Sequence, residues 1–308
     1  MSLGTTPPLV SICVVTYNHA GFIEDCLERL ARQITTFPYE VIVGVDPSTD
    51  GTADIVDAVA ARHPGRFRVM HHSERLGAFG NFRHTHHAAR GEFVAHMDGD
   101  DIAYPEKLQQ QVTALLNDKA ASLCGHVVDL IALDNSSLSA QFPTQAEPQQ
   151  RLFLDDALTK GSLFVHSSFM YRRQFASHLF GSSPEVIDYF FLIGFLIHGH
   201  AINLSQPLGA YRITAGGLTL ALGQRKRVAL FMDAYEDLLT RKIGPKDLIL
   251  ATAMADCSKL LFSDRELRAR FLRMVFAAKR LPNPFRVLAI RRAKRLHGKV
   301  LQQAFQAS

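Results

Sequence analysis

Phe93-Val-Ala-His-Met-Asp-Gly-Asp-Asp101 is the stretch on which the fold turns. Its apolar start, Phe93 to Met97, predicts a short buried strand. Its carboxylates fall just past the strand's C-terminal end, the edge at which open α/β sheets bind ligands. Three acids within four residues repel one another, so a cation is expected among them. Oxygen-only donors select hard divalent ions such as Mg²⁺ or Mn²⁺, and these in turn hold phosphate oxygens. Capping of a helix that begins near Tyr104-Pro105 would explain the acids by folding alone. Neighbouring segments weigh against that, because they repeat the same pattern of polar strand ends.

Upstream, Leu9 to Thr16, Tyr39 to Val45 and Phe67 to His71 read as strands. The helices between them cover Phe22 to Leu30, Thr52 to Ala61 and Ala78 to Ala89. Downstream, a helix from Pro105 to Asn117 leads to a strand from Ser122 to Leu130. Strand–helix alternation with continuously apolar strands predicts a Rossmann-like three-layer α/β/α sandwich with a mostly parallel sheet. Asp134 to Gln150, rich in Ser, Gln and Pro, reads as a long loop of the kind that forms lids or binding elements. A strand-like Ser168 to Tyr171, a helix Pro184 to Ile197 and an extended Ala201 to Tyr211 follow. From Arg225 onward the pattern is helical, broken at Gly244-Pro245 and Pro282-Asn283-Pro284. The expected division is a domain over 1–222, with halves at about 9–130 and 150–220, and a basic helical region over 223–308.

Composition narrows the function classes. Of 308 residues, 47% are apolar and 20% charged, enough for a proper core. Cys13, Cys26, Cys124 and Cys257 lie far apart without zinc spacing, which predicts buried free thiols in a reducing compartment. Met1 to Pro8 lacks the pattern of a signal peptide, and the longest apolar run, Tyr189 to Ile197, is far short of the ~20 residues a membrane span needs. A cytoplasmic location is expected. Net charge is divided unevenly: residues 225–308 hold 19 Lys and Arg against 7 Asp and Glu, while residues 1–224 hold 15 against 22. A basic tail on an acidic body predicts contact with an anionic surface or with another copy of the chain. The tail lacks the aromatic–basic interleaving of RNA-binding segments, so nucleic acid is not an expected partner.

Strand ends beside the acidic stretch carry further candidates. Thr16-Tyr-Asn-His19 suits contact with a base or ribose, and Asp46, at the end of the second strand, can accept from a ribose hydroxyl. Asp50 reads as a helix cap. Neither a GxGxxG fingerprint nor a P-loop occurs, so a bound nucleotide must be held by carboxylates and a metal. The glycine- and Arg/Lys-rich loop of nucleotidyltransferases is absent after the first strand. His84, His86 and His87 share a short helix, where ligands at i, i+2 point apart; a zinc site there is not expected.

In their order and spacing, Val10-Ser-Ile-Cys-Val-Val-Thr-Tyr-Asn18, Asp46-Pro-Ser-Thr-Asp-Gly-Thr52, Leu76-Gly-Ala-Phe-Gly-Asn81 and Met97-Asp-Gly-Asp-Asp101 resemble family 2 glycosyltransferases of the GT-A fold. Tyr104-Pro-Glu-Lys-Leu-Gln-Gln-Gln-Val112 resembles a helix that often follows the acidic motif in bacterial members. The resemblance covers residues 9 to about 219. It implies inverting transfer of a sugar from a nucleotide-diphosphate donor to a saccharide or lipid-linked saccharide, dependent on Mn²⁺ or Mg²⁺. By position, Thr16 and Tyr17 would flank the base and Asp46 would hold uracil or ribose, although Val45 replaces the first acid of the usual pair. Asn81 would lie near the donor. Asp98 would lie near ribose and assist Asp100 in holding the metal, and Asp101 would reach that metal through water. Asp188 matches the catalytic carboxylate, with Ile187 in place of the usual Glu and Glu185 as the fallback base. An apolar setting would raise the pKa of Asp188 toward that of a useful general base. His166-Ser-Ser-Phe-Met-Tyr-Arg-Arg173 resembles the strand lining the acceptor cleft. Tyr211-Arg-Ile-Thr-Ala-Gly-Gly-Leu-Thr219 resembles the stretch that closes over the diphosphate, with Thr214 where His is frequent. Arg212 would meet phosphate or pair with a nearby acid. An inactive nucleotide-sugar-binding scaffold of a polysaccharide assembly complex is the alternative reading.

Overall fold

A computed structural model describes residues 7–143, 149–180, 188–213, 223–261 and 263–307. The first half alternates β1 (Val10–Thr16), α1 (Ile23–Ala31), β2 (Tyr39–Val45), α2 (Thr52–Arg62), β3 (Phe67–His71), α3 (Gly77–His87) and β4 (Phe93–Asp98). After a short β5 (Ile102–Ala103) come α4 (Lys107–Asn117) and β6 (Ala121–Ile131). The sheet runs β3-β2-β1-β4 in parallel, as buried Val, Ile and Met on both strand faces require.

Beyond β4 the direction changes. β9 (Met170–Arg172) inserts antiparallel between β4 and β6, and β10 (His200–Arg212) pairs parallel with β6. Much of the segment expected as a loop at Asp134 to Gln150 is strand: β7 (Ser137–Phe142) pairs β6, and β8 (Gln149–Leu152) pairs β10. β7 alternates exposed Ser137, Ser139 and Gln141 with inward Leu138, Ala140 and Phe142, a short period easily lost among the Ser, Gln and Pro around it.

One core lies under α1, α2 and α4 and includes Ile12, Leu27, Val56 and Leu115. The opposite face carries α3, α5 (Leu154–Lys160), α6 (Asp188–Leu196) and the C-terminal helices. These are α7 (Gln224–Thr240), α8 (Lys246–Cys257), α9 (Arg265–Ala278) and α10 (Pro284–Ala307). Met232, Tyr235, Leu250 and Cys257 bury in the same cluster as Leu158, Tyr189 and Phe195. The C-terminal helices thus complete the core of the second half. All four cysteines are buried free thiols. No helix among the described residues is long and apolar enough to cross a membrane.

Candidate active site

β4 delivers the acids to the crevice where β1 and β9 flank it. The turn beyond it is tight, with Gly99 N–H donating to Val15 O at 3.0 Å and Asp101 N–H to Asp98 O at 3.1 Å. A Cβ on Gly99 would stand 2.9 Å from His19 Nδ1, Ile23 Cδ1 and Thr16 Oγ1, so only glycine lets the loop after β1 lie on the acidic turn. From the far side of the sheet, Arg212 staples the same turn. Its backbone N–H donates to Asp101 Oδ1 at 2.8 Å, and its Nε donates to Asp100 O at 2.7 Å. The rest of its guanidinium goes to Ala132 O, Leu133 O and Asn135 Oδ1, over the ring of Phe22. Buried and saturated in this way, Arg212 braces the turn instead of reaching into the crevice.

Each acid has a different environment. Asp98 is half-buried; its Oδ1 lies 3.2 Å from His96 Nε2, and its Oδ2 accepts from Ser167 Oγ at 3.2 Å. Burial opposes its ionisation, yet His96, with His166 and His19 beyond, holds its carboxyl well below the usual range. Asp100 is pushed the other way by burial, against the pull of His19 and with the repulsion of Asp98. Asp101 is raised well above the ordinary value by burial, then by Asp100 and Asp98. One buried cation answers these charges from below. Lys107 donates to Ser167 O at 2.5 Å, and burial lowers its pKa to about 8 against the pull of Asp101, Cys26 and Asp98. Gln111, one turn along α4, donates to Ser168 O at 2.9 Å. Together they fix the 3₁₀ turn His166–Ser168, whose Ser167 Oγ also accepts from Asp98 N–H at 3.0 Å.

The other expected residues are placed as follows. Thr16 is buried at the end of β1, 3.3 Å through Oγ1 from His19 Nδ1, and Tyr17 lies under the Arg75 guanidinium at 3.9 Å. Asp46 is buried, accepting from Leu76 N–H at 3.2 Å and Gly77 N–H at 2.9 Å, so it anchors the entry to α3. Asn81 is likewise buried and braces α3 on β2, donating to Gly44 O at 2.8 Å. Asp50 accepts from Thr52 N–H and Ala20 N–H, tying the start of α2 to the loop after β1. Asp188 opens α6, but its side chain lies outside the described residues, as do Glu185, Ile187 and Thr214. Three residues on, Phe191 packs 5.3 Å from the His166 ring and 4.4 Å from Phe82, which brings the start of α6 toward the crevice.

Histidines contribute more here than their sequence pattern suggested. His84 and His86 diverge on α3 as expected: His84 packs on His72, while His86 turns inward. There it meets a histidine that periodicity could only score as part of a strand. His86 Nε2 lies 2.9 Å from His96 Nδ1, and His86 Nδ1 lies 2.7 Å from Tyr171 Oη. Burial, reinforced by His96 and His166, holds His86 well below its ordinary pKa and therefore neutral. His96, Asp98 and His166 each offer a ligand atom, all within 4.8 Å of one another.

Comparison with known proteins places this geometry. Residues 11–180 match the family described as "Glycosyl transferase family 2". The Mycobacterium bovis "Uncharacterized protein Mb1547" is 32% identical over 210 residues, 68% of this chain and 60% of that protein. The Bacillus subtilis "Putative glycosyltransferase EpsH" is 30% identical over 217 residues, 67% of this chain and 61% of that one. The chain thus spans about 60% of the length of these relatives. Among solved structures, S. aureus TarS 1-349 in complex with UDP-GlcNAc superposes with a TM-score of 0.65 at 17% identity, covering 97% of this chain and 91% of that one. A Pyrobaculum calidifontis mannosyltransferase in complex with GDP-Man and Mn²⁺ reaches a TM-score of 0.57 at 19% identity, with 98% and 85% covered.

Proposed function

The chain belongs to glycosyl transferase family 2 and has the GT-A fold, and from that premise we propose that it moves a sugar from a uridine-diphosphate sugar to a saccharide or lipid-linked saccharide. One observation carries the reading: Asp98 and Asp100 stand half-buried at the C-terminal end of β4, with Asp101 buried behind them and stapled by β10, and the ends of β1 and β2 alongside. Thr16 and Tyr17 would flank the base. Asp46 and Asn81 would shape the ribose side, chiefly by holding α3 against the sheet.

The donor set fits a divalent cation. Asp98 is kept anionic, and Asp100 lies in a site where an added positive charge would favour its ionised form. Mn²⁺ or Mg²⁺ held there by Asp100 and Asp98 would neutralise the diphosphate as it departs. Asp188 would take the proton from the acceptor hydroxyl as that oxygen attacks the anomeric carbon. The bond from that carbon to the phosphate oxygen breaks in the same step, giving inversion and a free nucleoside diphosphate. His166, beside Phe191 of α6, would line the acceptor side. The basic region 225–308 would place the enzyme against the anionic inner face of a membrane, where a lipid-linked acceptor resides, or against a second copy of the chain.

Thermal-shift screening of nucleotide sugars with Mn²⁺ tests the donor, followed by transfer assays of Asp188→Asn. That variant should keep donor affinity and lose at least ~10²-fold in rate. A product with retained anomeric configuration would refute the base assignment. Donor binding without transfer, unchanged by Asp188→Asn, would mark a nucleotide-sugar-binding scaffold instead.

A further inference from the structure

We infer that the cation at the acidic turn is held partly through imidazole, by His96 Nε2 and a ring nitrogen of His166 beside Asp98, and that the site therefore selects a first-row transition dication over Mg²⁺. This rests on the metal-dependent reading above and specifies which atoms and which ions it involves.

Geometry comes first. His96 and Asp98 are two apart on β4, so both side chains leave the same face of the strand. His166 arrives from the 3₁₀ turn that Lys107 and Gln111 fix in place. Its ring centroid lies 3.8 Å from that of His96, tilted by 32°. The three ligand atoms lie within 4.8 Å of one another. Bonds of about 2.1 Å to a shared ion put three donors about 3.0 to 3.6 Å from one another, so the set closes with shifts of about an ångström.

The backing of His96 is the second, independent observation. A metal-bound imidazole donates its other N–H to a fixed acceptor, which sets the tautomer and aims the ligating lone pair. Coordination through Nε2 puts the His96 proton on Nδ1, 2.9 Å from His86 Nε2. His86 then carries its proton on Nδ1, 2.7 Å from Tyr171 Oη. The network allows this set and its reverse, in which Tyr171 O–H donates to His86 Nδ1, His86 Nε2–H to His96 Nδ1 and His96 Nε2–H to Asp98 Oδ1; an ion on His96 Nε2 selects the first. Phe82 stacks on His86 at 3.7 Å and, with Phe191, walls the chain off from water. Apolar side chains at 86 and 96 would fill the same space without desolvating two imidazoles, so folding alone does not call for the chain. A mixed N,O donor set favours ions later in the first transition row and is a poor match for Mg²⁺, which prefers oxygen and an octahedral shell with waters.

Pulsed electron paramagnetic resonance on the Mn²⁺-loaded protein tests the inference, with and without UDP. Directly bound ¹⁴N should modulate the echo, and growth with ¹⁵N-histidine should replace that modulation. His166→Gln should weaken Mn²⁺ binding at least ~10-fold, and Mn²⁺ should displace Mg²⁺ at a tenth of its concentration or less. The isotope swap uses the wild-type chain, so a poorly folding His96→Gln variant cannot blur the result. Mn²⁺ and UDP bound together without histidine nitrogen coupling would overturn the imidazole ligands and leave the proposed function standing. Absence of Mn²⁺ binding in any condition would overturn both this inference and the metal-dependent reading.

Discussion

Asp98 and Asp100 stand two residues apart, yet their surroundings pull them in opposite directions: histidines favour the anion at Asp98, and burial disfavours it at Asp100. If Asp100 is the principal oxygen ligand, Asp100→Asn should cut metal-supported transfer by at least ~10²-fold while leaving the melting temperature within a degree or two, because this turn acid supports little packing. Transfer assays with and without chelator check this, and full activity of the variant in chelator would sink it. Lys107 gives a prediction with a sign. Its folded pKa, about 8, lies below the ordinary 10.5, so the unfolded chain binds more protons between those values. Wild-type stability should therefore rise relative to Lys107→Met as pH climbs from about 8 to 10.5, by up to about 3 kcal/mol. Below pH 8 the difference should be flat. Urea unfolding of both chains, metal-free, across that range decides it; a falling difference would contradict the assignment. The acids themselves were legible in the sequence because they break an apolar strand. His96, Ser167 and Lys107 were not, since their roles arise where β4, α4 and the turn at 166–168 meet, up to 69 residues apart.

Elements carry a second layer of constraint. β2 can approach α3 only because residue 44 is glycine: an added Cβ would stand 2.0 Å from Asn81 Oδ1 and 2.1 Å from Thr85 Oγ1. Gly44→Ala should cost ~1–3 kcal/mol by forcing those side chains aside, visible as a lowered urea midpoint with an unchanged slope. An unshifted midpoint would mean that α3 yields freely. Strand–helix alternation predicted this half of the sheet well, since continuously apolar strands leave little ambiguity. It failed where the signal is physically weak. β9 has three residues, enough to read as strand-like at Ser168 to Tyr171 but too few to set its direction, and the period of β7 rests on Leu138, Ala140 and Phe142 alone amid loop-like Ser and Gln. Arg212 illustrates the same limit at the end of β10. A lone cation in a loop motif suggests an anion, but tertiary structure spends it on backbone carbonyls.

Across the whole molecule, the charge asymmetry resolves into an inner and an outer set. All seven acids of residues 225–308 pair with bases of the same region, as in Arg270 with Asp233 and Glu236, or Arg225 with Asp264 and Glu266. The surplus cations lie outside these pairs. Arg273, Lys279, Arg280, Arg291 and Arg292 are exposed, interleaved with Leu272, Phe276, Leu281, Phe285 and Leu288, which are also exposed. Apolar wedges among cations suit an anionic bilayer surface, where each basic residue adds about 1 kcal/mol. Phe276→Ser with Phe285→Ser should reduce co-sedimentation with anionic vesicles several-fold and leave the melting temperature unchanged, because these rings are 77% and 81% exposed. Equal recovery with neutral vesicles, before and after substitution, would favour contact between copies of the chain.

The staple from β10 to the acidic turn also sets an order of events during synthesis. Asp101 leaves the ribosome with Lys107 only six residues behind it, so its counter-charge arrives almost at once. Arg212, whose backbone and guanidinium close the turn, is made 111 residues later. Between those moments the first half can form its parallel strands, but β4 lacks β9 until residue 172 is made and β6 lacks a complete β10 until the end. The nascent donor half therefore waits, with sheet edges open, for the rest of the chain. A fragment cut before residue 212 would preserve that waiting state permanently, so any minimal working piece of this protein must extend at least through the end of β10.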